Sequence, residues 1–210
     1  MQLQKMTGLS LCRRVTTICG IKQYLSDDEV KLCFMFLLTM SGVPSIYYGD
    51  EIGMRYLRDR LSVEGGFHRT GSRTPMQWEK GKKNYGFSES DTPYITPDSE
   101  KDAPTVSEQT KDDNSLLNFV KKLIELRKNH SALWAKSEYK TIYAEKGKYP
   151  YIYERTDGSE SLRVIINPAD RVENIPVKTE GTVLLIFGDI NLEKGKIAGC
   201  SGAVIRVNDK

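Results

Sequence analysis

The sequence lacks the features that would tie it to a membrane, a nucleic acid or a metal. Its longest apolar run, Leu32 to Met40, is far shorter than the ~20 residues that span a bilayer. The formal net charge is +3, from 31 basic and 28 acidic residues. No cluster of five or more like charges stands out, so there is no nucleic-acid or anionic-membrane footprint. Lys5, Arg13 and Arg14 lie near the start, but no apolar core or small-residue cleavage site follows, and no secretory signal is read. The 4 cysteines, Cys12, Cys19, Cys33 and Cys200, lack metal-ligand spacing. Free thiols in a reducing compartment are therefore expected, and with them a cytoplasmic protein. Histidine occurs 2 times. His130 has no partner at metal spacing and reads as a helix-end residue. No metal and no cofactor is expected.

What is present is an ordinary globular composition, 39% hydrophobic and 28% charged over 210 residues, enough for one large domain or two small ones. The chain is organised around Gly42 to Met54. Ser45 to Tyr48 has the form of a short buried strand, opened by Pro44 and closed by Gly49, and Asp50 and Glu51 follow at once. A buried strand that empties into an acidic loop suits the rim of a site on a parallel sheet. A core strand with a solvated acidic turn fits the same residues.

Upstream, Ser26-Asp27-Asp28-Glu29 has the form of a capping box. Val30, Phe34, Leu37 and Leu38 then repeat at helical spacing, predicting a nearly all-round apolar helix over Asp27 to Met40. Ser41-Gly42 ends it and Pro44 prevents its continuation. Helix, short loop and strand make one unit of an α/β pattern. One unit cannot close a parallel sheet, so the chain reads as part of something larger. Residues 55 to about 112 are irregular, rich in Gly and Pro, and carry the aromatics Phe67, Trp78, Tyr85, Phe87 and Tyr94. Loops this long are functional or disordered, and aromatics argue against disorder. A second helix follows over Ser115 to Asn129, with Asp113 or Asn114 as its cap.

From about residue 135 the period changes to alternation. Tyr139 to Ala144, Tyr151 to Thr156, Ser161 to Asn167, Thr182 to Phe187 and Ala203 to Val207 read as strands. Asp157-Gly158 is a hairpin signal. Leu162, Val164 and Ile166 share one face. The expectation is a small antiparallel β-domain of five to seven strands, with nothing catalytic in it.

The aromatic and acidic content of residues 42 to 94 suits sugars, whose rings offer apolar faces and whose hydroxyls need polar partners. Pro44-Ser45-Ile46-Tyr47-Tyr48-Gly49-Asp50-Glu51, Arg73-Thr74-Pro75-Met76-Gln77-Trp78, Tyr85-Gly86-Phe87-Ser88 and the helix from Ser115 occur in that order. Together they resemble glycoside hydrolase family 13, in its α-glucosidase, oligo-1,6-glucosidase and trehalose-synthase-like branch, over about residues 26 to 190. The resemblance implies a fold class of α/β plus all-β. Residues 26–134 would be the C-terminal part of a TIM (β/α)8 barrel, with Ser45 to Tyr48 its eighth strand and a long final βα-loop. Residues 135–210 would be a small antiparallel β-sandwich domain, and residues 1–25 lie outside the match.

The same resemblance implies retaining cleavage of α-glucosidic bonds in short α-glucans such as maltose- or isomaltose-type oligosaccharides. An Asp nucleophile and a Glu acid/base about 5 Å apart would act through a glycosyl-enzyme intermediate. Arg73 matches the arginine that holds the terminal glucose; a loop-fixing arginine is the plainer reading. No catalytic residue is assigned. The nucleophile and the acid/base belong to earlier strands, and aligning the family's Asn-His-Asp-x-x-Arg motif on Arg14 puts Leu9-Ser10-Leu11 where its Asn-His-Asp should be. Asp50 and Glu51 match a supporting motif. The chain reads as a C-terminal fragment, inactive alone. Two alternatives stay open: a non-catalytic carbohydrate-binding module, and one half of a split glycosidase with a separately encoded N-terminal half.

Overall fold

The computed structural model describes residues 25–58, 60 and 70–208. The expectations for Cys12 and Cys19, for Leu9 to Arg14 and for Phe67 lie outside the described residues. The described chain divides into two compact units, one of residues 31–44 and 121–208, the other of residues 25–30, 45–58, 60 and 70–120.

Helix α1 spans Asp27–Thr39. Its capping box forms: the Ser26 amide donates to Glu29 Oε2 at 2.8 Å, and the Glu29 amide donates to Ser26 Oγ at 3.3 Å. Leu32, Phe34, Met35, Phe36 and Leu38 are all buried, as an all-round apolar helix requires. The C-terminal end is built differently. Its last turn carries no basic residue of its own, although the final carbonyls of a helix need donors and favour a cation. Two distant arginines supply both. Arg127 Nη1 donates to the carbonyls of Leu38 and Met40 at 2.7 and 3.0 Å, and its Nη2 to Gly42 at 2.5 Å. Arg155 Nη1 donates to the Thr39 carbonyl at 2.8 Å.

Helix α2 is the short Val106–Thr110 segment, and α3 spans Leu116–Asn129. Ser115, not Asp113 or Asn114, caps α3: its hydroxyl accepts the Asn118 amide at 3.2 Å and donates to the Gln109 carbonyl at 2.7 Å. Asp112 instead closes a turn, accepting the Asn114 amide on its side chain. The observed helix starts at Leu116, which makes Ser115 the residue just before its first turn and puts the Asn118 amide within reach of its hydroxyl. His130 follows α3 and its Nδ1 lies 3.0 Å from Glu160 Oε2.

The strands are β1 Glu138–Tyr143, β2 Tyr151–Thr156, β3 Ser161–Asn167, β4 Glu173–Asn174, β5 Gly181–Phe187, β6 Ile190–Asn191, β7 Lys196–Ile197 and β8 Ser201–Val207. They make an antiparallel five-stranded sheet in the order β1-β2-β3-β8-β5 and a three-stranded sheet β4-β7-β6. The Asp157-Gly158 hairpin joins β2 to β3, with Gly158 at φ +89° and the Asp157 carboxylate accepting the amides of Ser159 and Glu160.

Register explains why β3 is buried on both sides rather than alternating. Val164 pairs with Val204 and Ile166 with Gly202, so these four share a face. That face meets α1: a Cβ on Gly202 would lie 2.5 Å from Met35 Sδ and 3.2 Å from Leu32 Cδ1. Phe36 packs edge-on to Tyr153, and the Thr39 and Tyr153 hydroxyls are 2.5 Å apart. On the opposite face Ile152, Ile165, Ala203 and Ile205 pack with Ile175 and Ile197, the last from the small sheet. The large sheet thus lies between a helix and a second sheet.

The expected strand at Ser45 to Tyr48 is not formed. Residues 43–47 have no regular structure, Ser45 is exposed and Ile46 and Tyr47 are half-buried. A parallel strand is held by neighbours on its edges, and none of the described strands pairs with this segment.

Candidate functional site

The second unit is where the sugar-binding expectation falls. Its framework begins at Gly49, whose φ of +88° and contact with Met54 admit no side chain. Asp50–Ile52 form a 3-10 turn between Gly49 and Gly53. Asp50 is 0% exposed, so the acidic pair is not a solvated turn. Glu51 is half-buried, and burial pushes its carboxyl pKa up against the opposing effect of the Glu51 and Gly49 amides. Gln109 ties this turn to α3, donating to the Ile52 carbonyl at 2.8 Å and accepting the Leu117 amide at 2.9 Å. Ile52, Met54, Met76 and Leu117 form the apolar cluster beneath.

The Arg73-Thr74-Pro75-Met76-Gln77-Trp78 run is stitched onto that framework. The Tyr48 hydroxyl donates to the Thr74 carbonyl at 3.1 Å. Gln77 Nε2 donates to the Pro104 carbonyl at 2.5 Å, and the Val106 and Ser107 amides donate to the carbonyls of Gln77 and Trp78. Gly71 lies so close to the Leu57 backbone that a Cβ would collide with its carbonyl. From Thr70 to Gln77 every residue is buried except Arg73. Its amide is fixed by the Thr70 carbonyl at 3.0 Å. Among the described residues its guanidinium has no ion-pair or hydrogen-bond partner.

The loop-fixing arginine is another one. Arg55, which sequence reasoning missed, binds Asp98 through Nε and Nη2 at 2.9 and 2.8 Å, and reaches Asp102 through Nη1 at 2.9 Å. Its hydrogen bond holds the Asp102 carboxyl below the usual range. Asp98 is buried. The signal was only a carboxylate pair four residues apart in an irregular stretch, with nothing to name Arg55 as its partner. Downstream, Trp78, Phe87 and Tyr94 are exposed, and Asn84 and Tyr85 take left-handed conformations that turn the chain back so that the Tyr85 carbonyl accepts the Trp78 and Glu79 amides. Among the described residues no group of three or more His, Cys, Asp or Glu could hold a metal ion.

The exposed Arg73 and the exposed aromatics Trp78, Phe87 and Tyr94 belong to the same unit, and a cation and aromatic faces are the kinds of group that bind polyhydroxylated ligands. Residues 12–136 match the alpha amylase catalytic domain. The chain belongs to the alpha-amylase family. The match starts upstream of Ser26, where the motif resemblance begins, and takes in Arg14. The alpha-amylase-family relatives include the oligo-1,6-glucosidase of Parageobacillus thermoglucosidasius, 31% identical over 175 residues, covering 69% of this chain and 30% of that protein. The trehalose synthase/amylase TreS of Mycolicibacterium smegmatis is 36% identical over 135 residues, covering 57% of this chain and 21% of that protein. The crystal structure of isomaltulose synthase from Erwinia rhapontici NX5 is similar in fold, with a TM-score of 0.72 and 21% identity over 87% of this chain and 38% of that one. The chain thus spans less than two-fifths of the length of each. Among the described residues no helix is long and apolar enough to cross a membrane.

Proposed function

We propose that the chain is the C-terminal portion of a cytoplasmic, retaining α-glucosidase-type enzyme acting on short α-glucans. Residues 26–134 supply the last units of its TIM barrel and the final βα-loop, and residues 135–210 its β-sandwich domain. Arg73 contacts the terminal glucose. The observation that carries this is the exposed, unengaged guanidinium of Arg73 on an otherwise buried, stitched run. A structural arginine would be engaged, as Arg55 is. The nucleophile and the acid/base come from barrel strands outside this chain, so the chain alone is inactive.

The test has two arms. The purified chain should not hydrolyse a chromogenic α-glucoside; turnover near that of family members overturns the inactivity. Co-expression with a separately encoded N-terminal half should restore hydrolysis, and Arg73→Ala in that assembly should raise KM by roughly ten-fold or more, the loss of one charge-assisted contact of ~1.5–3 kcal/mol. An Arg73→Ala assembly with unchanged kinetics refutes the assignment.

A further inference from the structure

The other unit holds a feature that the family reading does not use. A cavity of about 470 Å³ is lined by Ser131, Trp134, Lys136, Glu138, Thr156 and Asp157, among others. That volume lies within the range of ligand clefts, ~300–1,000 Å³. Trp134 is 56% exposed, yet its backbone is immobilised. Its amide donates to the Ser131 carbonyl at 2.9 Å, and its own carbonyl accepts the Ser137 amide at 3.2 Å and Arg155 Nη2 at 2.8 Å. The indole is therefore presented to solvent from a rigid base, which lowers the entropic cost of binding anything against it.

The polar groups around it divide into those already engaged and those left over. Asp157 accepts the amides of Ser159 and Glu160 and the Ser159 hydroxyl. The Ser137 hydroxyl donates to the Ser131 carbonyl, and the Thr156 hydroxyl donates to the Glu160 carbonyl while accepting the Gly158 amide. Lys136 and Glu138 are exposed and have no ion-pair partner among the described residues. With Asp157 the lining carries one cation and two carboxylates, one of them already holding the Ser159 and Glu160 amides. It offers a strong donor and a strong acceptor beside an apolar face. Hydroxyl groups both donate and accept, and a pyranose carries them around a ring whose C–H face suits an indole.

We propose that this cavity binds a glucosyl unit of an α-glucan, stacked on Trp134 with its hydroxyls on Lys136 and Glu138. The glucan class rests on the family reading; the residues of the site are separate from Arg73.

The chain has 2 tryptophans, Trp78 and Trp134, which makes the test direct. In the Trp78→Phe chain the remaining indole reports on this cavity alone. Titration with maltotriose should shift its emission and shield it from acrylamide quenching. Calorimetry with Trp134→Ala should show at least about a ten-fold weaker affinity. The double variant Lys136→Ala, Glu138→Ala, at two exposed positions, should weaken binding while leaving the far-ultraviolet spectrum unchanged. Arg73→Ala should leave the Trp134 signal as it was. An emission and quenching constant untouched by maltotriose in the Trp78→Phe chain overturns the site. So does wild-type affinity in Trp134→Ala; if that affinity is lost in Arg73→Ala instead, the family reading stands and this one falls.

Discussion

Arg155 tests what holds α1 to the β-domain. The side chain is 0% exposed and has no carboxylate partner among its hydrogen bonds. Nε donates to the Glu138 carbonyl at 3.1 Å, Nη1 to Thr39 at 2.8 Å, and Nη2 to Trp134 and Ser137 at 2.8 and 3.2 Å. Burial and the nearby Arg127 charge both lower its pKa, so the charge itself is not what favours the site. The favourable part is the planar fork, which reaches four carbonyls at once. Arg155→Met removes the fork and restores the guanidinium's lost hydration to the balance. The Trp134 carbonyl keeps the Ser137 amide, whereas Thr39, the last residue of α1, has no later helical amide to take its place. Each orphaned buried carbonyl costs ~1–3 kcal/mol. Glu138 is an exposed residue, so water can replace the fork at its carbonyl; with Thr39 and Ser137 orphaned and part of the desolvation recovered, the loss is about 3 kcal/mol. That is a melting temperature lower by ~12–24 °C for a unit of ~100 residues. Arg155→Lys keeps the charge but cannot reproduce the fork, and should be no more stable than Arg155→Met. Urea unfolding followed by circular dichroism, at constant m, reads both. A loss below about 1 kcal/mol in Arg155→Met refutes the role of the fork, and wild-type stability in Arg155→Lys shows that charge alone suffices.

Three further outcomes follow from the geometry. Gly202→Ala puts a methyl 2.5 Å from Met35 Sδ and 3.1 Å from the Ile165 carbonyl; the thermal midpoint should fall by the equivalent of ~1–3 kcal/mol, and a midpoint equal to wild type would mean that α1 is not seated on β8. Gly71→Ala drives a Cβ into the Leu57 carbonyl, a backbone that cannot step aside, so amide exchange should accelerate from Thr70 to Gln77; unchanged protection there counts against the tight seat of the Arg73 run. Glu51 has a folded-state pKa raised above 4.5, by burial first. Folding therefore takes up a proton, and stability declines as pH rises from about 4.5 through the raised value, then levels off. Glu51→Gln should flatten that part of the profile; coincident melting–pH curves would refute the raised pKa.

The β-domain was legible because its signals are local. Alternation and the Asp157-Gly158 turn placed β2 at Tyr151–Thr156 and β3 at Ser161–Asn167 without reference to anything distant. The capping box likewise fixed the start of α1. What was not legible depends on contacts far apart in the chain. Arg127 and Arg155 cap α1 across more than eighty residues, and no pattern in the sequence links them to it. The burial of Ile165 and Ile166 on opposite faces needed the register with β8 and the seat of α1 on Gly202. Ser45 to Tyr48 failed for the converse reason. Its composition is that of a strand, but a strand is a property of pairs, and residues 43–47 have no described partner.

The most recognisable stretch of the sequence is also the one in which recognition and chemistry separate. Thr74, Pro75, Met76 and Gln77 are buried, and their hydrogen bonds are to the Tyr48 hydroxyl, the Pro104 carbonyl and the Val106 amide. Each is constrained by packing: Met76 by its apolar cluster, Gln77 by the Pro104 carbonyl, Thr74 by the Tyr48 hydroxyl. Substituting Thr74, Met76 or Gln77 would disturb the seat of the run. Within the run, Arg73 and Trp78 are the exposed side chains, and Arg73 is the charged one. Arg73 is held at its backbone by the Thr70 carbonyl, exposed at its charged end and flanked by buried positions. That separates Arg73 from Arg55, whose charge is consumed by Asp98 and Asp102, and it is why the wager on substrate contact rests on the exposed arginine.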